Sequence, residues 1–256
     1  MATNIIQDVK PTGTASAYVE RPFDEAKTEL EVAGYNIISL EQFAKLRIEQ
    51  GKNSRVSNYG SYTREGFLYV PQKGVFLTKN SPIMANAKEA TQCHRNGKEF
   101  YLTNKQVEES LADSVQIKND KAIPTKRFGD NDITVFAFGK EAEKYGNFLK
   151  EAGISEMPIY LANTGEKPFA RQAWLRRLDS DYGSYLIGDS RNLYYDSAVR
   201  GVRNASADEG SASVPRKIIS VEDLLNETAQ TSSYAPDQIK KLQNILEQKG
   251  YRITQI

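Results

Sequence analysis

Six arginines and five aspartates share the 41 residues from Pro168 to Asp208, and no lysine or glutamate stands among them. The guanidinium groups are Arg171, Arg176, Arg177, Arg191, Arg200 and Arg203; the carboxylates are Asp179, Asp181, Asp189, Asp196 and Asp208. Planar fork-shaped donors and short carboxylates suit directional hydrogen bonding, and six against five leaves no electrostatic funnel for nucleic acid. The other 215 residues hold 20 Lys and 20 Glu, so a stretch of this length would ordinarily contain about seven. In their place stand Tyr182, Tyr185, Tyr194 and Tyr195, with Ser, Gly and Asn between them. Tyr gives large contact area for two torsions, and Ser, Gly and Asn give adaptable hydrogen bonding. Lys and Glu lose the most rotamer entropy when ordered, and binding surfaces disfavour them. The stretch has the palette of a recognition surface.

Other chemistry is poorly supported. Cys93-His94-Arg95 places a thiol beside the only histidine, but adjacent residues seldom aim both side chains at one point, and hydrolytic Cys/His pairs come from distant sequence. A single cysteine excludes an internal disulfide and any multi-cysteine metal site. Asp179-Ser180-Asp181-Tyr182-Gly183-Ser184 offers hard oxygen ligands without the length or terminal Glu of an EF-hand loop. Neither G-x-x-x-x-G-K-[ST] nor G-x-G-x-x-G occurs. No cofactor or metal is expected. The alternative is a nucleotide-binding or hydrolytic enzyme built on residues 133–162 with Cys93, since ITVFAFGKEAEKYG resembles a strand, a glycine turn and a helix.

The elements that must position these residues follow from punctuation and periodicity. Residues 1–20 read as an irregular or weakly extended lead. A helix over DEAKTELEVA closes at Gly34, and Tyr35–Ile38 reads as a short strand. Ser39-x-x-Gln42 and Thr103-x-x-Gln106 are capping boxes that open helices running to about Gln50 and Asp113. GKNSRVSNYGSY reads as a polar loop. GFLYV and VFLT flank Pro71–Gly74 as a hairpin. ITVFAFG (133–139) reads as a buried strand, KEAEKYGNFLKEAG as an amphipathic helix, and MPIYLA as a strand. Beyond the Lys/Glu-free stretch, residues 204–256 read as a linker followed by a helix-strand extension.

Within 171–203, Arg171, Trp174, Leu178, Leu186, Gly188, Leu193, Val199, Gly201 and Val202 read as framework. Between them stand Arg176, Asp179, Ser180, Asp181, Tyr182, Tyr185, Ile187, Asp189, Ser190, Asn192, Tyr194, Asp196, Ser197 and Ala198. Alternation in Ser184–Gly188 and Asn192–Tyr194 predicts short strands with one side in the core. Tyr195 falls on the framework side. The pattern R-Q-x-W-L, then G-S-x-L-x-G, R-x-L-x-Y and V-R-G-V-R resembles the variable region of diversity-generating retroelement variable proteins, most of all the archaeal ones. The resemblance covers about an eighth of the chain.

That resemblance implies an α+β C-type lectin-like fold, with helices packed on short, mostly antiparallel strands. It implies a domain over 1–203 carrying a variable region at 171–203; the linker and C-terminal helix-strand extension read at 204–256, a helical addition to that fold, are expected to pack on the same domain. It also implies a reverse transcriptase copying a template with errors at adenines of asparagine codons. Such changes never yield Lys, Glu, Gln, Met or Trp, and so leave a gap of the kind seen here. The implied ligand-binding residues are Arg176, Asp179, Asp181, Tyr182, Tyr185, Ile187, Asp189, Ser190, Asn192, Tyr194, Asp196 and Ser197. Tyr182, Tyr185 and Tyr194 would be aromatic anchors. Tyr182, Tyr185, Asp189, Asn192 and Tyr194 should be more exposed than Trp174, Leu178 and Val202. Lectin-type calcium motifs (EPN, QPD, WND) do not occur, and one cysteine does not match the cysteine pair of the formylglycine-generating enzymes that share the broad fold. The expected partner is a protein or other macromolecule, not nucleic acid. No stretch approaches 18 apolar residues, so no membrane span is expected, and the N-terminus lacks a basic region followed by an apolar run, which makes a cytoplasmic location the default.

Overall fold

The computed structural model describes residues 6–7, 14–118, 122–178, 183–189, 192–195 and 197–204. Asp179, Asp181, Tyr182, Ser190, Asp196 and the predicted extension beyond Asn204 lie outside the described residues.

The chain runs β1 (Ile6–Gln7), β2 (Thr14–Arg21), α1 (Phe23–Val32), β3 (Asn36–Ile37), α2 (Leu40–Gln50), α3 (Arg55–Asn58), β4 (Ser61–Val70) and β5 (Gly74–Thr78). It continues with α4 (Pro82–Ala85), α5 (Ala87–Arg95), β6 (Phe100–Tyr101), α6 (Asn104–Leu111), β7 (Ser114–Ile117) and β8 (Ala122–Pro124). Then follow α7 (Asp132–Phe138), α8 (Ala142–Glu151), β9 (Glu156–Tyr160), β10 (Phe169–Leu175), β11 (Leu186–Ile187) and β12 (Ser197–Asn204). Both capping boxes form: Gln42 N–H donates to Ser39 Oγ at 3.1 Å, and Ser39 N–H to Gln42 Oε1 at 2.9 Å, with Thr103 and Gln106 doing the same for α6. The hairpin joins Val70 to Gly74, with Gln72 and Gly74 at positive φ in the turn.

Three expectations are corrected. Residues 133–139 are not a strand: Asp132–Phe138 is helical, opened by Asn131, whose side chain accepts from the N–H groups of Ile133 and Thr134 at 3.0 and 3.2 Å, and ended at Gly139 with φ 55°. A short apolar run fits a buried strand and a buried helical turn equally well, and here the N-cap decides. Residues 14–20 are not an irregular lead: β2 pairs with β12 through all eight residues, from Thr14↔Asn204 to Arg21↔Ser197. Its main-chain partners come from the far end of the described chain, which local pattern does not reveal. The polar loop 51–62 contains α3, capped by Ser54, and its last two residues enter β4.

The sheet order is β1-β2-β12-β4-β10-β11-β9-β8, with β5 joining β4 to β7. Pairing is antiparallel except for β11 with β9 and β12 with β4. Alternation on the central strands divides the core. Phe67 and Tyr69 of β4 with Phe169, Ala173 and Leu175 of β10 pack with Phe43 and Leu46 of α2, Phe138 of α7 and Tyr145 and Leu149 of α8. Tyr62, Leu68 and Ala170 point the other way, with Phe23 and Leu30 of α1 and Ala90 of α5. Helices thus cover both faces of an α+β sheet. Among the described residues no helix is long and apolar enough to cross a membrane.

Candidate functional site

Segment 171–203 is attached to this core by buried side chains, among them Leu175, Leu186, Leu193 and Val199, and by its own main chain. Arg47 of α2 donates from Nη2 to the Arg176 carbonyl at 2.7 Å, and Leu178 N–H donates to the Ser57 carbonyl at 2.7 Å. Tyr69 Oη donates to the Gly188 carbonyl at 2.7 Å, and Gly188 N–H to the Tyr160 carbonyl at 2.7 Å. Arg171 donates to the Asp189 carbonyl, and Phe23 N–H to the Leu193 carbonyl at 2.7 Å. Arg171 is itself fixed by a two-pronged pair with Glu99, at 2.6 and 3.1 Å. Burial pushes the Tyr69 phenol well above its ordinary range, so it stays protonated and can donate. Gly188 has no room for a side chain: a Cβ there would stand 2.5 Å from the Phe67 ring.

What emerges from this attachment is a row of side chains on one sheet face. Trp174 of β10 pairs with Ile187 of β11, and Ile187 with Tyr160 of β9, so the three share a face. Two residues on, Arg176 N–H donates to the Tyr185 carbonyl at 2.9 Å, which puts Arg176 and Tyr185 on that face too. The Arg176 guanidinium lies 4.9 Å from the Tyr185 ring centroid, and Tyr160 meets Tyr185 edge-on at 5.1 Å. Both geometries are favourable for aromatic rings. Towards the other side the row opens into a groove of about 700 Å³ lined by Glu20, Asn58, Tyr59, Gly60, Trp174, Arg176, Arg177, Ile187 and Ala198. Tyr59 is 42% exposed and stacks on buried Tyr18 at 5.7 Å, with the Arg55 guanidinium 4.8 Å from the Tyr18 ring and 5.7 Å from the Tyr59 ring.

The predicted site residues fall into three groups. Arg176, Tyr185 and Ile187 converge on this face, each half-buried. Asp189 and Asn192 are exposed, and Tyr194 is half-buried with its ring 4.3 Å from that of Tyr195. Ser197 begins β12, and Asp179, Asp181, Tyr182, Ser190 and Asp196 lie outside the described residues. The framework assignments need correction at three positions. Val202, Leu186, Leu193 and Val199 are buried, none more than 3% exposed, but Trp174 and Leu178 are half-buried, in the same class as Tyr185 and Tyr194. Tyr195 is 56% exposed. Trp174 stands at a two-residue step from Arg176, so alternation sends both to the groove face; its indole lies over Gly60, where a Cβ would come within 2.8 Å.

Sequence reasoning missed Tyr160, Tyr59, Asn58 and Glu20, which reach the face from β9, the α3–β4 connection, the end of α3 and β2. Only Tyr160 carried a local signal, the alternation Met157-Pro158-Ile159-Tyr160 with Met157 and Ile159 buried. Cys93 lies half-buried on α5 while neighbouring His94 is fully buried. Burial, then the Glu89 charge, pushes the thiol up despite Lys98, which disfavours the thiolate a nucleophile needs. With 132–138 helical, the strand-glycine-helix turn of the enzymatic alternative does not form.

Fold and face together define a C-type lectin fold with an open, aromatic- and arginine-rich surface. One similar solved structure is a Nanoarchaeota protein, described as accommodating massive sequence variation by the C-type lectin fold. It matches with a TM-score of 0.54 at 15% identity, over 76% of this chain and 99% of that one. No family model and no curated relative matches the chain.

Proposed function

We propose that this is a variable ligand-binding protein: segment 171–203 presents exchangeable side chains to a protein or other macromolecular target, and a retroelement diversifies it. The observation that carries the reading is the division of labour within the segment. Its main-chain carbonyls at Arg176, Gly188, Asp189 and Leu193 hold it to the core, while Arg176, Tyr185 and Ile187 gather on one outward face. Side chains there can change without removing an attachment, and a backbone that stays put limits the ordering entropy of each new site. The absence of Lys and Glu from 168–208 fits exchange at adenine positions of asparagine codons. Tyr, Trp and Arg are the residues that dominate protein interfaces. The fold seen in a Nanoarchaeota protein that accommodates massive sequence variation supports the same reading.

The locus tests the diversification. A near-copy of the codons for 171–203, differing only at adenines and lying beside a reverse-transcriptase gene, is the expected result; a locus without such a repeat removes this part of the proposal. Binding is tested separately, by displaying a library varied at Arg176, Tyr185, Ile187, Asp189, Asn192 and Tyr194 and selecting on hen egg-white lysozyme as a probe.

A further inference from the structure

Arg47 has no exposed surface, yet it stands on the apolar stripe of α2, four residues after Phe43, whose ring centroid lies 4.4 Å from its guanidinium. Nε donates to the Val56 carbonyl at 3.4 Å; Nη1 donates to Tyr145 Oη at 2.8 Å and to Ser184 Oγ at 3.2 Å; Nη2 donates to the Arg176 carbonyl at 2.7 Å. Every acceptor is a neutral oxygen. Ser184 Oγ in turn donates to the Arg176 carbonyl at 3.3 Å, closing a triangle with the guanidinium. A buried charge is tolerated only where hydrogen bonds replace its lost water, and an apolar residue would fill the same volume without that cost. Space-filling therefore does not account for an arginine here. The directional bonds do, and two of them end at Arg176 and Ser184, on either side of residues 177–183 in the chain.

We propose that Arg47 is the positioning residue of the binding face. Its single rigid fork fixes where the chain leaves the sheet at Arg176 and where it returns at Ser184, and so sets how Arg176 and Tyr185 present their side chains whatever residue types stand between them. The proposal rests on the binding function above and deepens it. Arg47 touches no ligand; it acts through the main chain at Arg176 and the hydroxyl at Ser184. A fork is required, because lysine offers its donors from one point and cannot span acceptors on α3, on α8, just after β10 and just before β11.

The test uses the full chain with Arg47→Met, Arg47→Lys and Ser184→Ala, read by amide hydrogen exchange at Arg176 and Leu178 against the β4–β5 hairpin. The expected result is exchange at least tenfold faster at 176–185 in Arg47→Met, a smaller acceleration in Arg47→Lys and in Ser184→Ala, and an unchanged hairpin. A merely structural residue would speed exchange evenly across the domain, and that outcome overturns the proposal, as does unchanged exchange at 176–185. Should Arg47→Met fail to fold, Ser184→Ala decides by the same criterion. A lysozyme-selected binder carrying Arg47→Lys is expected to lose at least tenfold in affinity. If no binder can be selected, the binding function falls, and the exchange measurement alone still decides whether Arg47 holds the chain at Arg176 and Ser184.

Discussion

The ring of Tyr160 meets the ring of Tyr185 edge-on at a centroid distance of 5.1 Å, joining a residue outside segment 171–203 to one inside it. Tyr160 remains 44% exposed. The candidate face is therefore shared between β9, which lies outside the segment, and the end of β10 with β11, which lie within it.

This sharing predicts that both tyrosines anchor a bound target. In a lysozyme-selected binder that retains both, Tyr160→Ala and Tyr185→Ala should each weaken affinity by about 2 kcal/mol, in keeping with central aromatic anchors. Surface plasmon resonance measures the loss. An unchanged affinity in Tyr160→Ala would confine the site to the segment itself.

Attachment through the main chain predicts tolerance. Combined substitutions at Ile187, Asp189 and Asn192 to other small or polar residues should shift Tm by only a few degrees, because surface changes are usually within about 0.5 kcal/mol each. Arg171→Ala is the contrast. It breaks a partly buried pair with Glu99 and leaves the carboxylate behind, which should cost about 2 kcal/mol, less than for a fully buried pair. Thermal melts of the two variants separate the cases, and equal losses would mean the outward positions are core.

Gly188→Ala tests the close approach of the chain to Phe67. The new methyl would press on the Phe67 ring, and overpacking of this kind costs about 1–3 kcal/mol. Urea titration is the measurement. No change in midpoint would show that Phe67 can move aside.

Glu65 gives a pH signature. Burial is the chief cause raising its pKa from 4.5 to about 7, against the opposing pull of main-chain hydrogen bonds, including Leu40 N–H at 2.9 Å, and of Lys79. The folded state holds this proton more tightly than the unfolded chain. Its stabilising contribution is therefore complete below pH 4.5 and is lost as the pH climbs towards 7 and just beyond. The loss is about 3 kcal/mol at most. Denaturation of wild type and Glu65→Gln between pH 4.5 and 8 should show a falling difference, with the glutamine form flatter; parallel curves would refute it.

Much of the fold was legible because it is written locally. Ser39/Gln42 and Thr103/Gln106 announce their helices by side chains that reach only three residues, and the turn at Pro71–Gly74 announces its hairpin. Segment 133–139 was misread because seven mostly apolar residues satisfy strand and helix alike, and β2 was missed because the strand that completes it is β12. At the candidate site, alternation along Trp174-Leu175-Arg176 and Tyr185-Leu186-Ile187 was readable as in-and-out spacing. Which of the two sides carried Trp174 was not.

By itself the sequence determined the palette of 171–203 and the periodicities that separate its buried from its outward positions, because both are properties of residue type and spacing. Tertiary structure alone decided that Tyr160, Tyr59 and Glu20 would stand beside them, and that an arginine on α2 would reach across 129 residues of chain to the Arg176 carbonyl. Such neighbours are chosen by strand register and helix packing, and these depend on contacts between distant parts of the chain that no local pattern encodes.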